Sequence, residues 1–257
     1  MIAARAWSRL HGAYARRMSR WFGRRPFVIR PNRPLVTFTF DDFPRSALAA
    51  GGSILVTNGA RGTYFVAMGL AGKVIETGPM FISADLGALV AAGHELACHT
   101  CEHLPAWRTS PSAYVASVER NARALAALSR PVRPVTHSYP ISYPRPSSKR
   151  RLASHFRACR FGGQGLNRDT VDLNALNSFF IEQSVHDFAT IEHLIATNAA
   201  QKGWLIFSTH DVSEHPTRYG CTPALFERIV RRTHESGATI LTMNAALDEL
   251  GVATVGL

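Results

Sequence analysis

Two adjacent carboxylates and three imidazoles stand out by their spacing. Asp41-Asp42 close the run Leu35-Val36-Thr37-Phe38-Thr39-Phe40. His99 and His103 lie four residues apart in His99-Thr100-Cys101-Glu102-His103, and His210-Asp211 ends the run Trp204-Leu205-Ile206-Phe207-Ser208-Thr209. Neighbouring carboxylates at the end of a buried strand are costly unless positive charge faces them, and a metal ion is the simplest source. Imidazoles at i and i+4 share one face of a helical turn and can share a metal. One Asp with two His leaves coordination positions open, as a hydrolytic metal site requires. The metal acidifies a water and polarises the carbonyl under attack, and a second carboxylate beside the ligand can take the water's proton. Asp41-Asp42 therefore read as one base and one ligand, and His210 as a proton donor to a leaving group. Glu102 is expected to turn away, and His215, followed by Pro216, reads as loop. Cys98-x-x-Cys101 would need two further ligands to hold a structural zinc, and Cys159 and Cys221 are isolated.

The surrounding sequence supplies elements that would position these groups. Val36, Phe38 and Phe40 alternate with Thr37 and Thr39, the strand period, and Pro44 cannot continue the ladder. Further strands are expected over 61–67 and 95–98, near 135–139, 157–161 and 178–181, and over 204–208 and 238–243. Helices are expected over 46–57, weakened by Gly51-Gly52; from a Ser83 cap to Gly93; and from Ser110-Pro111. Others follow from Asp187 to Ala200, from Thr222-Pro223, and in a short last segment capped by Asn244. Alternating strand and helix favours an α/β fold with a parallel sheet, open or closed into a barrel. Chemistry in such folds gathers at the C-terminal ends of the strands. Asp41-Asp42, His99 and His210-Asp211 each follow an expected strand.

Thr39-Phe40-Asp41-Asp42, then His99-Thr100-x-x-His103, then a strand-borne His210 resemble the polysaccharide deacetylase family. Its deacetylase domain is shared by chitooligosaccharide, chitin and peptidoglycan deacetylases. The resemblance runs from about Leu35 to Leu250. It implies a distorted (β/α) barrel and a divalent metal, usually Zn2+, with Asp42, His99 and His103 as ligands, Asp41 as general base and His210 as general acid. In the family's third motif, R-x-P-Y, the Arg holds the base and a backbone N–H faces the oxyanion. Ser138-Tyr139-Pro140-Ile141 aligns with it, which puts Tyr139, Pro140 and Ile141 at the oxyanion and substrate and Ser138 where the Arg would stand. Arg145 or Arg160 is then the expected charge partner of the base. The fourth motif, two acids followed by Trp, is faint in Asp169-Thr170-Val171-Asp172-Leu173 and leaves the orientation of His210 unassigned. The implied activity is metal-dependent removal of an N-acyl group, most often acetyl, from an amino sugar in a polysaccharide, oligosaccharide or lipid-linked glycan. Two other readings are a catalytically weak glycan-binding protein on the same scaffold, and a deacylase of a small C–N bond outside sugars.

The 257 residues carry a formal net charge of +11, which suggests an anionic partner. Much of the excess lies in the first 33 residues, which contain no acid, so a nucleic-acid partner is not expected. Residues 1–25 read as a basic amphipathic helix: Trp7, Leu10, Tyr14, Met18 and Trp21 form one stripe among seven arginines. That composition suits a helix lying on a membrane surface with anionic lipid; the competing expectation is a helix packed on the barrel. Residues 26–34, with three prolines, read as a linker, which divides the chain into 1–34 and a catalytic domain over 35–257. The four cysteines are too sparse for a disulfide framework. No run of about 18 apolar residues exists to span a membrane, and no h-region of a secretory signal is present. The expected location is cytoplasmic, peripheral on the inner face of the cytoplasmic membrane.

Overall fold

Seven parallel strands pair in sequence order and close on themselves: β1 (Leu35–Asp42), β2 (Thr63–Val66), β3 (Glu95–Cys98), β4 (Thr136–Ser138), β5 (Ala158–Gly162), β6 (Leu176–Phe180) and β7 (Trp204–Thr209). The ring closes where β7 runs beside β1 from Trp204↔Leu35 to Thr209↔Phe40. A short β8 (Thr239–Ile240) pairs with the first residues of β1, below the stretch of β1 that β2 occupies from Thr39 onward. The computed structural model describes the backbone of residues 2–141 and 143–254, and side chains from Gly12 onward. The alternation in β1 separates two apolar layers. Val36, Phe38 and Phe40 pack outward with Phe226, Ile229 and Val230, whereas Leu35 joins Phe65, Trp204, Ile206 and Met243 in a second cluster. Thr37 and Thr39 sit among polar partners: Thr37 Oγ1 accepts from the Trp204 indole at 2.9 Å, and Thr39 Oγ1 donates to the Phe207 carbonyl at 2.8 Å. The polar members of the alternation therefore lead, one register step on, to Asp41.

The helices are α1 (Ile2–Trp21), α2 (Ser53–Thr57), α3 (Ser83–Ala91), α4 (Pro111–Ala126), α5 (Pro146–Leu152), α6 (Phe188–Gln201), α7 (Pro223–Glu235) and α8 (Met243–Glu249). Ser110, Asp187 and Thr222 cap α4, α6 and α7 as their positions predict. Three local expectations change. Residues 47–52 form a π-helical turn ahead of α2, and Gly51-Gly52 serve close packing: a Cβ on Gly51 would lie 2.8 Å from the Phe40 ring, and one on Gly52 would lie 2.8 Å from the Tyr64 hydroxyl. Ser83 is the first helical residue of α3, and Asp85 accepts the Ile82 N–H there at 2.9 Å. Thr242, rather than Asn244, caps α8.

The segment expected as a linker is part of the packed structure. Pro26–Val28 pairs antiparallel with Thr170–Asp172, and Ile29 is buried in the inner cluster. The C-terminal end of α1 is tied down by polar bonds. Buried Lys149 donates from Nζ to the Ser19 carbonyl at 2.6 Å and the Phe22 carbonyl at 3.1 Å, and pairs with Asp172 at 2.6 Å. Arg25 donates to the carbonyls of Ala153 and Phe156, each at 3.0 Å. Ala15 and Ser19 face the barrel, while Tyr14 and Trp21 of the aromatic stripe face outward; the side chains of Trp7 and Leu10 lie outside the described residues. Among the described residues, no helix is long and apolar enough to cross a membrane.

Candidate active site

The strand ends gather a buried carboxylate–imidazole centre. β1 delivers Asp41 and Asp42 on a tight turn in which the Phe43 N–H donates to the Asp41 carbonyl at 2.6 Å. Asp42 and Phe43 both take positive φ, 62° and 67°, a conformation that costs non-glycine residues energy and that concentrates at functional sites. The turn separates the two carboxylates. Asp42 Oδ1 lies 3.0 Å from His103 Nε2 and 3.6 Å from His99 Nε2, and one donor atom from each of these residues falls within 4.8 Å of the others. Asp42 Oδ1 is buried between the two rings. His99 Nδ1 is 2.9 Å from the Ser138 carbonyl; donating there fixes the ring and leaves Nε2 as the free lone pair, the usual support of a metal-binding histidine.

His99 and His103 do not sit on a helical turn. The segment after β3 is irregular, with Thr100 at φ 59° and His103 at φ 53°. Thr100 Oγ1 accepts the Leu104 N–H at 3.0 Å, and Ser117 Oγ accepts the Cys101 N–H at 2.9 Å. These bonds fold the loop so that the two rings stand 5.0 Å apart between centroids. Glu102 turns away, bonded to Ser117 and to Arg120. Burial pushes the Cys98 thiol up to about 12, and among the described residues no Cys-containing cluster has metal geometry.

Asp41 faces the other way and pairs with Arg160. Burial opposes ionisation of Asp41, but Arg160, with His99 and His210 adding, holds the carboxyl well below the usual range. Arg160 is itself buried, stands over the Phe65 ring at 4.6 Å and donates to Ser178 Oγ at 3.3 Å. Ser138 and Arg160 are paired residues on β4 and β5, so the guanidinium arrives from the strand next to the position the motif indicates. Arg145 is not the partner: its Nε donates to the Trp107 carbonyl. The faint fourth motif is also placed elsewhere. Asp172 bonds Lys149 and the Arg25 N–H, and Asp169 is exposed.

His210 stands across the cleft at the end of β7. Its Nδ1 is 3.2 Å from the Tyr219 carbonyl, so Nδ1–H donates there and Nε2 is left for chemistry. Asp211 shapes this return loop by accepting the Thr217 N–H at 2.8 Å and the Thr217 hydroxyl at 2.6 Å. Gly220 is needed at the crossing, where a Cβ would lie 2.3 Å from Asp211 Oδ1. Glu182 Oε1 lies 3.9 Å from His210 Nδ1. Burial, with Asp41 adding, raises the Glu182 carboxyl to about 8. Sequence reading passed over this residue, although an acid just past β6 obeys the same strand-end rule that picked out Asp41 and His99.

Tyr139 and Ile141 line the cleft, but Tyr139 spends its polar groups elsewhere: its N–H donates to the Arg160 carbonyl and its hydroxyl to the Asn174 carbonyl, each at 3.1 Å. The Pro140 carbonyl accepts the Ala106 N–H at 3.3 Å. Ile141, at φ 65° and 70% exposed, has no acceptor for its N–H among the described residues. The cleft encloses about 960 Å³, and its walls include the rings of Tyr143, Phe161, Phe180 and Tyr219.

A family model described as polysaccharide deacetylase matches residues 29–155. No curated protein sequence matches the chain. Solved structures share its fold. The chitin deacetylase of Colletotrichum lindemuthianum superposes with a TM-score of 0.61 at 18% identity over 88% of this chain and 92% of the other. The peptidoglycan N-acetylglucosamine deacetylase Bc1960 gives 0.61 at 14% identity over 89% and 93%. A family 4 acetyl xylan esterase from Clostridium thermocellum, solved with a cobalt ion, gives 0.57 at 21% over 85% and 93%. The family-model match takes in Asp41, Asp42, His99 and His103, and the shared barrel extends to the strand that precedes His210: over residues 29–155 the chain resembles the polysaccharide deacetylase family, and its barrel is the one these solved deacetylases share.

Proposed function

We propose that this protein is a metal-dependent hydrolase that removes an N-acyl group, acetyl in the simplest case, from an amino sugar in a glycan. The convergence of Asp42, His99 and His103 beside the separately paired Asp41 carries the reading. The donor set fits a divalent cation. Asp42 Oδ1 is a buried oxygen that faces the Nε2 atoms of both histidines, and burial pushes His99 down to about 4, which keeps its imidazole neutral. One carboxylate and two imidazoles suit Zn2+. Bound there, the metal supplies Lewis acidity to the attacking water and the acyl carbonyl.

The chain's own groups divide the remaining work. Asp41 takes the proton of the attacking water, and Arg160 keeps it ionised and aimed. His210 Nε2 delivers a proton to the departing nitrogen while the Tyr219 carbonyl holds the opposite ring edge. The Ile141 N–H is placed to donate to the carbonyl oxygen as charge develops there. The aromatic walls offer apolar faces to a pyranose ring. The glycan-binding alternative rested on the loss of positive charge at Ser138, and Arg160 restores that charge next door.

Acetate release tests the proposal. The zinc-loaded protein is expected to free acetate from N-acetylglucosamine oligomers and to expose a primary amine. His210→Ala is expected to lower kcat more than it raises KM, since the proton is needed only as the C–N bond breaks. Release from O-acetylated xylan, with none from the acetamido sugar, would make the protein an esterase; release only from a small acyclic amide would remove sugars from the reading.

A further inference from the structure

The outward face of α1 takes no part in the chemistry above. Ala15 and Ser19 turn inward, and Arg16, Arg17, Arg20 and Arg24 are exposed. Tyr14, Trp21 and Phe22 are 56%, 67% and 52% exposed. The helix cannot roll to hide these rings, because Lys149 holds the Ser19 and Phe22 carbonyls and the Asn174 amide donates to the Gly23 carbonyl at 3.0 Å. None of the four arginines forms an ion pair among the described residues. Arg150 and Arg151 on neighbouring α5 are exposed and add charge of the same sign. A recess of about 310 Å³ opens beside Trp21, with Arg20, Arg24 and Arg168 on its walls; its one acid, Asp172, is already paired with Lys149. Phe161 lines both this recess and the active-site cleft.

Large rings held out among unpaired arginines suit a bilayer surface in both respects. The rings can enter the headgroup boundary of a bilayer while guanidinium groups meet lipid phosphates. Duplex nucleic acid would use the arginines, but nothing in the phosphate contacts that dominate its affinity calls for apolar burial. We infer that the outward face of α1, from Tyr14 to Arg24, binds the surface of a bilayer containing anionic lipid, and that the arginine-lined recess takes headgroup phosphate. None of the residues in this face lines the cleft, so the surface stands apart from the deacylase reading. The shared Phe161 puts the catalytic cleft one side chain from the bound surface.

Cosedimentation of the full chain with vesicles tests it. The protein is expected to pellet with phosphatidylcholine–phosphatidylglycerol vesicles and not with phosphatidylcholine alone, and salt should weaken the binding. Each arginine near such a surface contributes about fivefold to partition. Replacing Arg17, Arg20 and Arg24 by Gln should therefore weaken binding on the order of a hundredfold. Trp21→Ser with Phe22→Ser should also release the protein while its circular dichroism stays unchanged. Asp41→Asn should bind vesicles like the natural chain, so lost membrane binding and lost catalysis are read separately. Equal binding to both vesicle types overturns the proposal. So does retention of the ring-substituted protein on vesicles, or on duplex DNA in preference to vesicles, which would make the face a polyanion site.

Discussion

Arg160→Met gives the sharpest test of how the base is held. Methionine preserves much of the side chain's length and its contact with the Phe65 ring while removing the charge over Asp41. It leaves a carboxylate that is almost wholly buried facing no cation. Removing one partner of a buried pair costs about 3–5 kcal/mol, largely because the other charge is stranded. Asp41→Asn should cost less, since it leaves the guanidinium a neutral acceptor. In the double variant no stranded carboxylate remains, so its loss should fall short of the sum of the single losses by about 2–3 kcal/mol. Urea unfolding of the four metal-free proteins measures this coupling. Catalysis offers a second readout. In the proposed mechanism Asp41 works as the anion, and losing Arg160 raises its pKa, so the acid limb of the pH–rate profile should move to higher pH. Arg160→Lys should return part of both effects. Additive stabilities within about 0.5 kcal/mol, or an unmoved acid limb, would refute the account of Asp41 and Arg160 as one unit.

Three further outcomes follow from the geometry. His99→Ala should lose bound zinc and activity together, as metal analysis after desalting would show; full zinc content would remove His99 from the ligand set. Glu182 holds its proton to about pH 8, against an ordinary value of 4.5, so the stability of the metal-free protein should fall as pH rises from 4.5 to 8. Glu182→Gln should abolish that slope, gaining on the natural chain by on the order of 3 kcal/mol at pH 8 and by nothing near pH 4; parallel stability curves would refute it. Lys149→Met strands Asp172 and frees the last carbonyls of α1, and should cost about 3–5 kcal/mol and loosen the helix, measured as faster hydrogen exchange over residues 12–22.

The parts of the site legible in the sequence are those whose signal is local. β1 announces itself by alternation and by its two terminal acids, and His99 with His103 by spacing. His210 is visible because a run of buried residues delivers it. The reason given for the histidine pair was nevertheless wrong in form: the four-residue spacing suits a helix, yet the rings converge through an irregular loop with two residues at positive φ. Arg160 was one of two equal choices because its contact with Asp41 spans 119 positions and depends on strand register. Docking of the N-terminal helix on the barrel was one of two expectations, but the face it uses was not legible, for a related reason. The aromatic stripe is the obvious face, but the contact uses small residues, Ala15 and Ser19, together with carbonyls that Lys149 reaches from far along the chain. The glycine pair at 51–52 reads as a helix breaker, when the absence of a Cβ is what lets the segment approach Phe40 and Tyr64.

The pairing of Ser138 with Arg160 has a consequence for how such chains are compared. A closed barrel gives each residue two coordinates, its strand and its height along the axis. Residues at equal height on adjacent strands can present a group to the same point from neighbouring directions. A guanidinium serving that point can pass from one strand to the next without moving the carboxylate it serves. Sequence order separates these two positions by a loop, α5 and part of a strand, and scores the change as a loss. Height in the barrel scores it as a sideways step, and aligning by height brings Arg160 into the column where Ser138 left a gap.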